Sequence, residues 1–553
     1  MQDSDPVTAA PGFTLSKSQR RRYWRVVGVS GLPIVVFLTW VGRRIWFFGD
    51  EWSVVHSSLS RDGIIGSLLT PHNEHLVATP IAVFRLLLRT FGLRSYMPYL
   101  FTTITAHVVV ASLCGYIALR LSSMLWVGIG TFLLVSFFGA GAENLYWAFQ
   151  LTFVLAAGGT LACAALLFDD HAQRRPYLLA LAGTIAVTSS GPGLAVIAPI
   201  TIAVVRAVRS GRAVVRTVAL SLVPFVLYGS WFLHYRPASN KLLFQNGRYG
   251  LAILEAATDS WTVPTLGMIT LIAGVTFCWR SSSVEVTVIG ALVGGCAVFL
   301  ALTALARDPS LAAPDSSRYL YQVTVLLVPV VAAGLALYRT ALASVFLGVA
   351  LVTNASVLGK FAAGRAALSR GSGDLLVAEQ VLANRNVTLP GVSVDKYTVD
   401  ISPADLREMA RRPRLRFRRR VDQVMVDRAA ALVSLAANVA PPKDAKPYRE
   451  SLVVKSSFMA QMVSDANCDT WTTGPEPGAV EADFRAPGAV GVRWVGTGAG
   501  LRVSTVASID AAHRAEVHPL TAGESSLAWA LRSGSATFEL ASNSKLRLCR
   551  FPG

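Results

Sequence analysis

Charged residues are scarce in this sequence: they make up 15% of its 553 residues, whereas hydrophobic residues make up 53%. Because an average soluble domain is roughly one-quarter charged, this composition argues against an ordinary cytosolic enzyme. The chain has only six cysteines, and it contains no P-loop, HExxH, GxSxG or CxxC motif. Its high apolar content excludes intrinsic disorder, a collagen-like repeat and a small disulfide-stabilised scaffold.

The apolar residues that are present occur in blocks close to the 20 residues that a membrane-spanning helix needs. The first block follows the basic stretch Lys17–Arg25 and extends to Val41. Arg43 and Arg44 follow it instead of a small-residue cleavage site, so it predicts a transmembrane helix and not a signal peptide. Together with later blocks it predicts a polytopic α-helical membrane protein of about eleven spans. The ten later spans are 97–119, 123–140, 151–168, 176–188, 192–205, 217–234, 263–279, 284–305, 319–338 and 341–359.

The distribution of arginine predicts the orientation of these spans. With the N-terminus inside, every short cytoplasmic connection contains arginine, whereas the opposite loops 141–150 and 189–191 contain none. The odd number of spans then places everything after residue 360 outside the cytoplasmic membrane. Residues 77–92 are apolar but contain Arg85 and Arg89, and they predict an amphipathic helix on the outer interface.

The sequence therefore divides into a basic cytoplasmic segment (1–24), a transmembrane domain (25–360) with a first exterior loop (43–96), an exterior helical and linker region (361–449) and a C-terminal domain (450–553). Short alternating runs between Gly, Pro and Ser clusters predict a β-sandwich for the last domain, which either binds carbohydrate or caps the membrane part. These runs include Val490–Trp494, Leu501–Val506 and Ala536–Leu540. In an oxidising exterior, Cys468 and Cys549 at its two ends predict a disulfide, with two buried thiols as the alternative.

The formal net charge of +18 raises the question of an anionic partner. The short cytoplasmic loops contain arginines that orientation explains, and Arg411–Arg420 contains seven arginines in ten residues on the exterior side. This segment predicts contact with lipid headgroups or other phosphates, with a solvated charge run as the alternative. Membrane lipids are therefore the expected partners, and nucleic acid is not.

Acidic and imidazole side chains gather on the predicted exterior side, where charged groups beside a bilayer are expected to be functional. Asp50 and Glu51 follow the first span, and aromatic residues flank them; a solvated loop pair is the alternative reading. The other members of this set are His72, Glu74, His75, Glu143, Asn144, Asp315, Arg318 and Tyr319.

Two groups within this region have competing interpretations. His72 and His75 are three residues apart, on one helical face, and with Glu74 they predict ligands of a divalent metal; hydrogen-bonding groups and plain surface residues are the alternatives. Five tryptophans near the outer interface predict an aromatic belt or, alternatively, sugar stacking. These are Trp46, Trp52, Trp147, Trp231 and Trp261.

The order and common sidedness of these motifs resemble the GT-C superfamily of polyprenyl-phosphate-dependent membrane glycosyltransferases, and the topology most resembles bacterial cell-wall arabinofuranosyltransferases. The resemblance implies that Asp50 is the catalytic acid-base residue and Glu51 its partner, that Glu143 and Asn144 form the second acidic motif, and that Arg318 and Tyr319 form the late Arg-Tyr motif. The sequence departs from many relatives in having Asp-Glu where Asp-Asp is common and His72-Asn73-Glu74-His75 where His-Pro-Pro is common.

This resemblance implies transfer of a sugar, such as arabinofuranose, from a polyprenyl-phosphate donor to a cell-wall glycan acceptor with inversion at the anomeric carbon. Asp50 would accept the acceptor's proton. Phosphate and sugar contacts would come from Glu143, Asn144, Trp147, Arg236, Lys241, Arg318, Tyr319, His72 and His75, and a divalent metal is a candidate cofactor at Asp50, Glu51 and His75. The competing functions are a transporter or flippase of lipid-linked sugars and a lipid-linked polysaccharide polymerase or ligase.

Overall fold

A computed structural model describes most of the membrane part of the chain. It covers residues 15–59, 68–235, 247–306 and 313–384, apart from 73, 263 and 282–285, and then 393, 397–398, 400–417, 421, 426 and 429. From 452 to 549 it describes the backbone of ten strands, with the side chains of Trp471 and Thr472. Arg236, Lys241 and Arg418–Arg420 lie outside the described residues.

The described residues up to Arg411 form a series of helices. They are α1 (Lys17–Val41), α2 (Glu51–Leu59), α3 (Ala78–Phe91), α4 (Met97–Ser122), α5 (Leu125–Ser136), α6 (Glu143–Tyr146), α7 (Leu151–Ala165), α8 (His171–Arg174), α9 (Pro176–Val187), α10 (Ile197–Ser210), α11 (Val214–Tyr235), α12 (Gly247–Asp259), α13 (Leu266–Ser281), α14 (Val286–Ala306), α15 (Ser317–Tyr338), α16 (Thr340–Asn384) and α17 (Pro403–Arg411). Short 3-10 helices lie at Gly139–Gly141, Ala148–Gln150, Phe168–Asp170 and Gly191–Val196.

Eight helical segments in the described part of the chain are long and apolar enough to cross a bilayer, which confirms a polytopic helical membrane protein. Three shorter apolar helices, at Leu125–Gly141, Pro176–Val187 and Leu266–Ser281, lie at the other predicted spans. The eight long segments are Lys17–Val41, Met97–Ser122, Ala148–Ala165, Gly191–Ser210, Val214–Tyr235, Val286–Ala306, Ser317–Tyr338 and Thr340–Asn384.

Helix α15 lies at the centre of this bundle, because almost every residue from Tyr319 to Ala336 is buried. A helix that is apolar on all sides is buried by its neighbours, and α15 has this pattern. Its contact with α13 is close: a Cβ on Gly334 would overlap the carbonyl oxygen of Gly274. Small residues at such crossings let two backbones approach, as is common between membrane helices.

Contacts divide the chain into two compact units. We call the first the membrane unit; it comprises Met1–Ile45, Arg61–Phe91 and Ser95–Ala366. We call the second the C-terminal unit; it comprises Trp46–Ser60, Gly92–Arg94 and Ala367–Gly553. Part of the predicted first exterior loop, including Asp50 and Glu51, therefore belongs to the C-terminal unit.

The strands of the C-terminal unit form two five-stranded antiparallel sheets, with the orders β1-β4-β9-β6-β7 and β2-β3-β10-β5-β8. The three alternating runs predicted as strands lie in β5, β6 and β9. The register pairs Cys468 of β3 with Cys549 of β10. Directly opposed residues on antiparallel strands are within the Cα separation that a disulfide needs, so this pairing supports the predicted bond. The strands are β1 (Leu452–Phe458), β2 (Ala460–Ser464), β3 (Cys468–Thr473), β4 (Gly478–Phe484), β5 (Gly488–Gly496), β6 (Leu501–Ala507), β7 (Val517–Pro519), β8 (Gly523–Leu531), β9 (Gly534–Leu540) and β10 (Ser544–Cys549).

The prediction of an aromatic belt is wrong for four of the five tryptophans. Trp52, Trp147, Trp231 and Trp261 are buried inside the protein, whereas belt residues would face lipid. Protein groups satisfy two of their indole N–H donors: Trp261 donates to Thr324 Oγ1 at 2.8 Å and Trp231 to the carbonyl of Leu69 at 2.6 Å. Large amphipathic rings are stable in a protein core when their N–H groups have hydrogen-bond partners there. The position of these tryptophans near the ends of spans therefore did not determine whether they face lipid.

Candidate functional site

The connection between α5 and α7 carries the second acidic motif, and it folds as three short helical segments. Glu143 and Asn144 begin α6, and Trp147 separates α6 from the 3-10 helix Ala148–Gln150. Short helical turns leave many backbone N–H and C=O groups without intrahelical partners, so other elements must supply them. Here Ser317 at the start of α15 supplies one such partner, and Asn354 of α16 and Tyr96 supply others.

Two side chains join the acidic motif to the late Arg-Tyr motif. The backbone N–H of Glu143 donates to Ser317 Oγ at 3.1 Å, and Asn144 Nδ2 donates to the carbonyl oxygens of Ser317 and Gly141, each at 3.3 Å. Ser317 directly precedes Arg318 and Tyr319 at the first turn of α15. The fold therefore brings together two motifs that are about 170 residues apart in sequence.

Arg365 of α16 completes this cluster, and the sequence analysis did not identify it. Its guanidinium lies 3.5 Å from the Glu143 carboxylate, and the two side chains are only 12% and 17% exposed. The guanidinium carbon is also 5.3 Å from the ring centroid of Trp147 and 5.6 Å from that of Phe361. We call Glu143, Asn144, Trp147 and Arg365 the Glu143 cluster; Arg318 follows Ser317, the α15 residue that contacts this cluster.

Aromatic contacts connect the Glu143 cluster to the histidine motif. The ring of Trp147 lies 6.1 Å from that of Phe149, and the ring of Phe149 lies 4.8 Å from the His72 imidazole. The membrane unit thus forms a continuous path of rings from Arg365 to His72. Successive rings along this path are tilted by 37° and 55° to one another.

The prediction that His72 and His75 share a helical face is wrong. The two residues face each other across a tight turn, with hydrogen bonds of 3.0 and 2.9 Å between their backbones. Glu74 adopts a positive φ of 68°, a conformation that a two-residue hairpin turn requires. The imidazole of His75 lies against Gly191, where a Cβ would come within 2.9 Å of Nδ1.

Burial controls the chemistry of the aromatic hydroxyls beside the cluster. Tyr146 is fully buried, and this burial raises the pKa of its phenol above the ordinary value, so it stays protonated. Tyr319 is also buried, packed against Tyr249 and Phe299. Within the described residues, neither hydroxyl has a hydrogen-bond partner, and neither has Arg318 Nε. Buried polar atoms of this kind require a partner that the described protein groups do not supply, such as an ordered water or a ligand.

Asp50 and Glu51 lie in the C-terminal unit, where they have different environments. Glu51 is fully buried, and its Oε2 accepts a hydrogen bond of 2.8 Å from the backbone N–H of Phe48. Asp50 is half-buried and follows Gly49, whose positive φ of 57° forms the turn before α2. Glu51 therefore closes its own turn, which makes Asp50 the better candidate for contact with a substrate.

The aromatic residues around this pair form a core within the C-terminal unit. The Trp46 ring lies 5.5 Å from that of Trp52 and 5.6 Å from that of Phe417, and Phe48 packs on Tyr397 at 4.4 Å. The backbone N–H of Trp46 donates to Ser369 Oγ at 3.0 Å. This packing positions Asp50, because it orders the turn that precedes α2.

The same helix carries a histidine that sequence reasoning missed. His56 Nδ1 lies 2.8 Å from Asp405 Oδ2, and the His56 side chain is half exposed. Asp405 also accepts hydrogen bonds from Ser402 N and Oγ, as part of the cap that begins α17. A carboxylate on one ring nitrogen orients an imidazole for proton transfer at the other. The two partners are 349 residues apart, so the local sequence did not indicate that they form a pair.

The described arginines of the Arg411–Arg420 segment have mixed environments. Arg412 pairs with Glu408 at 2.8 Å and Arg411 with the same carboxylate group at 3.8 Å. The carbonyl of Arg414 accepts a hydrogen bond from Leu93 N. Part of the positive charge is thus neutralised locally, and contact with phosphates stays a prediction.

No three His, Cys, Asp or Glu side chains in the described part of the chain lie close enough together to hold a metal ion. The three predicted ligands are divided between units, with His75 in the membrane unit and Asp50 and Glu51 in the other. The metal site therefore stays a prediction.

No protein-family model matches this chain, and comparison with curated proteins finds no significantly similar sequence. Assignment of a function therefore depends on the residues and geometry described above.

Proposed function

We propose that this protein is a GT-C-type membrane glycosyltransferase that moves a sugar, such as arabinofuranose, from a polyprenyl-phosphate donor to a glycan acceptor. In this proposal the chain has eleven spans and an exterior C-terminal β-sandwich, and the reaction takes place on the outer face of the cytoplasmic membrane. The observation that carries the proposal is the Glu143 cluster, in which a carboxylate, an amide and the Arg365 guanidinium lie together beside Ser317, the residue that precedes Arg318.

The donor's chemistry requires such a cluster. A polyprenyl-phosphate sugar keeps its tail in the bilayer and presents its phosphate at the interface. The leaving phosphate gains charge as its bond to the anomeric carbon breaks, and preorganised cations stabilise that charge. Arg318 and Arg365 are suited to this role, since a guanidinium presents several N–H donors in a geometry that matches phosphate.

Glu143 has a positioning role in this scheme. Its contact of 3.5 Å with Arg365 is longer than a tight charge-assisted hydrogen bond, so its carboxylate oxygens can accept hydrogen bonds from sugar hydroxyls. The Trp147 ring beside it offers an apolar surface for a sugar face.

The resemblance assigns the acid-base step to Asp50, and the different environments of Asp50 and Glu51 support that choice. Asp50 accepts the proton of the acceptor hydroxyl, the new bond forms between that oxygen and the anomeric carbon, and the bond to the phosphate oxygen breaks. The products are a glycan extended by one sugar, with inverted configuration, and polyprenyl phosphate. General-base assistance of this kind contributes typically 10² to 10⁴-fold in rate.

The purified full-length protein should release polyprenyl phosphate from a polyprenyl-phosphate sugar when a glycan acceptor is present. We expect Asp50→Asn to lower the release at least ~100-fold. Glu51→Gln should cost less, because the glutamine oxygen can still accept the bond from Phe48. Glu255→Gln serves as the matched control, since Glu255 is an exposed carboxylate outside both groups of residues.

The outcomes separate the competing functions. Full activity in both Asp50→Asn and Glu51→Gln would contradict the assignment. Loss of activity in His56→Gln together with a fully active Asp50→Asn would move the base to His56. Movement of intact donor across vesicle membranes, with no phosphate release, would indicate a flippase.

A further inference from the structure

A cavity of the membrane unit lies far from the Glu143 cluster. It is a groove of about 520 Å³ between α1, α4, α7 and α9, and the turn at Phe168–His171 closes one end. The Glu143 cluster precedes the first residue of α7, whereas this groove lies at the last residues of that 15-residue helix. The helix rise separates the two sites by roughly 22 Å. We call it the lower groove.

Small residues create the depth of the lower groove. Ala162 and Ala165 on α7 face Ala182 on α9, and larger apolar side chains form the rims. Trp24 and Leu181 on these rims are 43% and 57% exposed, on the lipid-facing side of a membrane bundle. The groove is therefore open toward the bilayer, and its apolar floor suits an acyl chain.

The mouth of the lower groove carries charged side chains. Arg120 donates two hydrogen bonds to Asp169, at 2.7 and 2.9 Å, and its guanidinium carbon lies 4.3 Å from the Phe168 ring centroid. Arg20 is exposed, and no acidic side chain among the described residues forms an ion pair with it. Two arginines against one aspartate leave the mouth positively charged.

His171 adds a polar group whose orientation is set. Its Nδ1 lies 2.9 Å from the Phe168 carbonyl, which can only accept, so Nδ1 carries the hydrogen. The Nε2 atom is then directed away from this bond. His171 thus extends the polar edge at the mouth, next to Arg20 and Arg120.

The turn that closes the groove has an unusual backbone. Asp169 and Asp170 both have positive φ, at 53° and 56°, although neither is glycine. Such conformations persist where surrounding contacts hold them, and they occur often at ligand sites. Asp169 pairs with Arg120 of α4, and Asp170 pairs with Arg206 of α10, so two helices hold the turn in this form.

We propose that the lower groove binds one anionic glycerophospholipid, with its phosphate at Arg20 and His171 and an acyl chain over the alanines of α7 and α9. Positive pockets between membrane helices bind anionic headgroups, and the net charge at this mouth favours them over zwitterionic ones. In the predicted orientation this lipid comes from the cytoplasmic leaflet. The site is independent of the proposed transfer reaction.

Lipid occupancy of the purified full-length protein tests this proposal. Delipidated protein in detergent is titrated with phosphatidylglycerol or with phosphatidylcholine of the same acyl chains, and bound lipid is counted by native mass spectrometry. We expect one phosphatidylglycerol to bind at least about fivefold more tightly than phosphatidylcholine. Arg20→Gln should remove that preference, and Ala165→Phe should reduce occupancy because the ring fills the groove.

Arg21→Gln provides the control, because Arg21 is an exposed neighbour on α1 that does not line the groove. Equal effects of Arg20→Gln and Arg21→Gln would overturn the proposal, since they would indicate general attraction to a basic helix. Equal affinity of the wild type for both lipids would overturn it as well. The thermal unfolding midpoint of Arg20→Gln should match that of the wild type, because Arg20 is an exposed side chain.

Discussion

The two ends of the membrane unit use the same types of side chain in different geometries. At one end Arg365 lies beside the Glu143 carboxylate and the rings of Trp147 and Phe361; at the other, Arg120 lies beside Asp169 and the rings of Phe168 and Tyr116. The charged groups of the first pair are 3.5 Å apart, whereas the second pair has two parallel hydrogen bonds below 3 Å.

The carboxylate of the looser pair is the more buried of the two. Glu143 is 17% exposed in the loose pair, and Asp169 is 47% exposed in the tight pair. In the tight pair, the exposed carboxylate of Asp169 holds a turn in place. The N–H donors of Arg120 that face it are already occupied by these hydrogen bonds. A loose pair shielded from water keeps oxygen atoms available for a substrate. Geometry therefore distinguishes a structural contact from a candidate functional one, although the residue types are alike.

The largest expected effect concerns activity at the loose pair. Glu143→Gln should lower sugar transfer about 100-fold, because an oriented carboxylate contact to the reacting sugar is lost. The matching change at the tight pair, Asp169→Asn, should leave transfer within about twofold. Release of polyprenyl phosphate measures both. Similar losses in the two variants would remove the functional distinction between the ends.

A smaller effect is expected from replacing each arginine by lysine. A lysine can reproduce one contact to a carboxylate but not two parallel ones. Arg120→Lys should therefore lower the free energy of unfolding by about 1 kcal/mol, with a smaller change for Arg365→Lys. Thermal unfolding in detergent measures this difference, and a larger loss in Arg365→Lys would reverse the comparison.

The smallest effect is a pH dependence confined to the tight pair. The hydrogen bonds from Arg120 hold the pKa of Asp169 below its ordinary value of 3.8. The unfolded chain therefore binds this proton at higher pH than the folded protein, so the stabilisation is present above the ordinary pKa and is lost as pH falls. Between about pH 5 and pH 3 the wild type should lose slightly more stability than Asp169→Asn. Parallel curves of stability against pH for the wild type and Asp169→Asn would show that the Arg120–Asp169 pair contributes nothing to stability.

Much of the architecture was predictable because it depends on local composition. Long apolar blocks predicted the spans, and alternating runs predicted strands that include Val490–Trp494 in β5. The continuous helix α16, Thr340–Asn384, was harder to predict, since the predicted span inside it ended at 359. Nothing in the local sequence required the helix to end where its hydrophobicity fell.

The candidate site was predictable only in part. Glu143, Asn144 and Arg318 stood out as polar residues at the ends of apolar blocks, and the fold brings them together through Ser317. Arg365 did not stand out, because it lies beyond the last predicted span among other basic residues. The spacing of His72 and His75 was misread, since a three-residue interval suits both a helical face and a hairpin turn.

The sequence by itself determined that this is a multi-pass helical membrane protein, because the cost of burying polar backbone in lipid makes long apolar helices unavoidable. It also determined which rare acids and histidines were worth attention. Only the tertiary structure decided which of them meet, that Glu51 is used in its own turn, that Arg365 faces Glu143, and that Arg120 and Asp169 close a groove at the other end. The contacts of Arg365 with Glu143 and of Arg120 with Asp169 join residues distant in sequence, so they depend on how helices pack, and packing is set by the shapes of many side chains together.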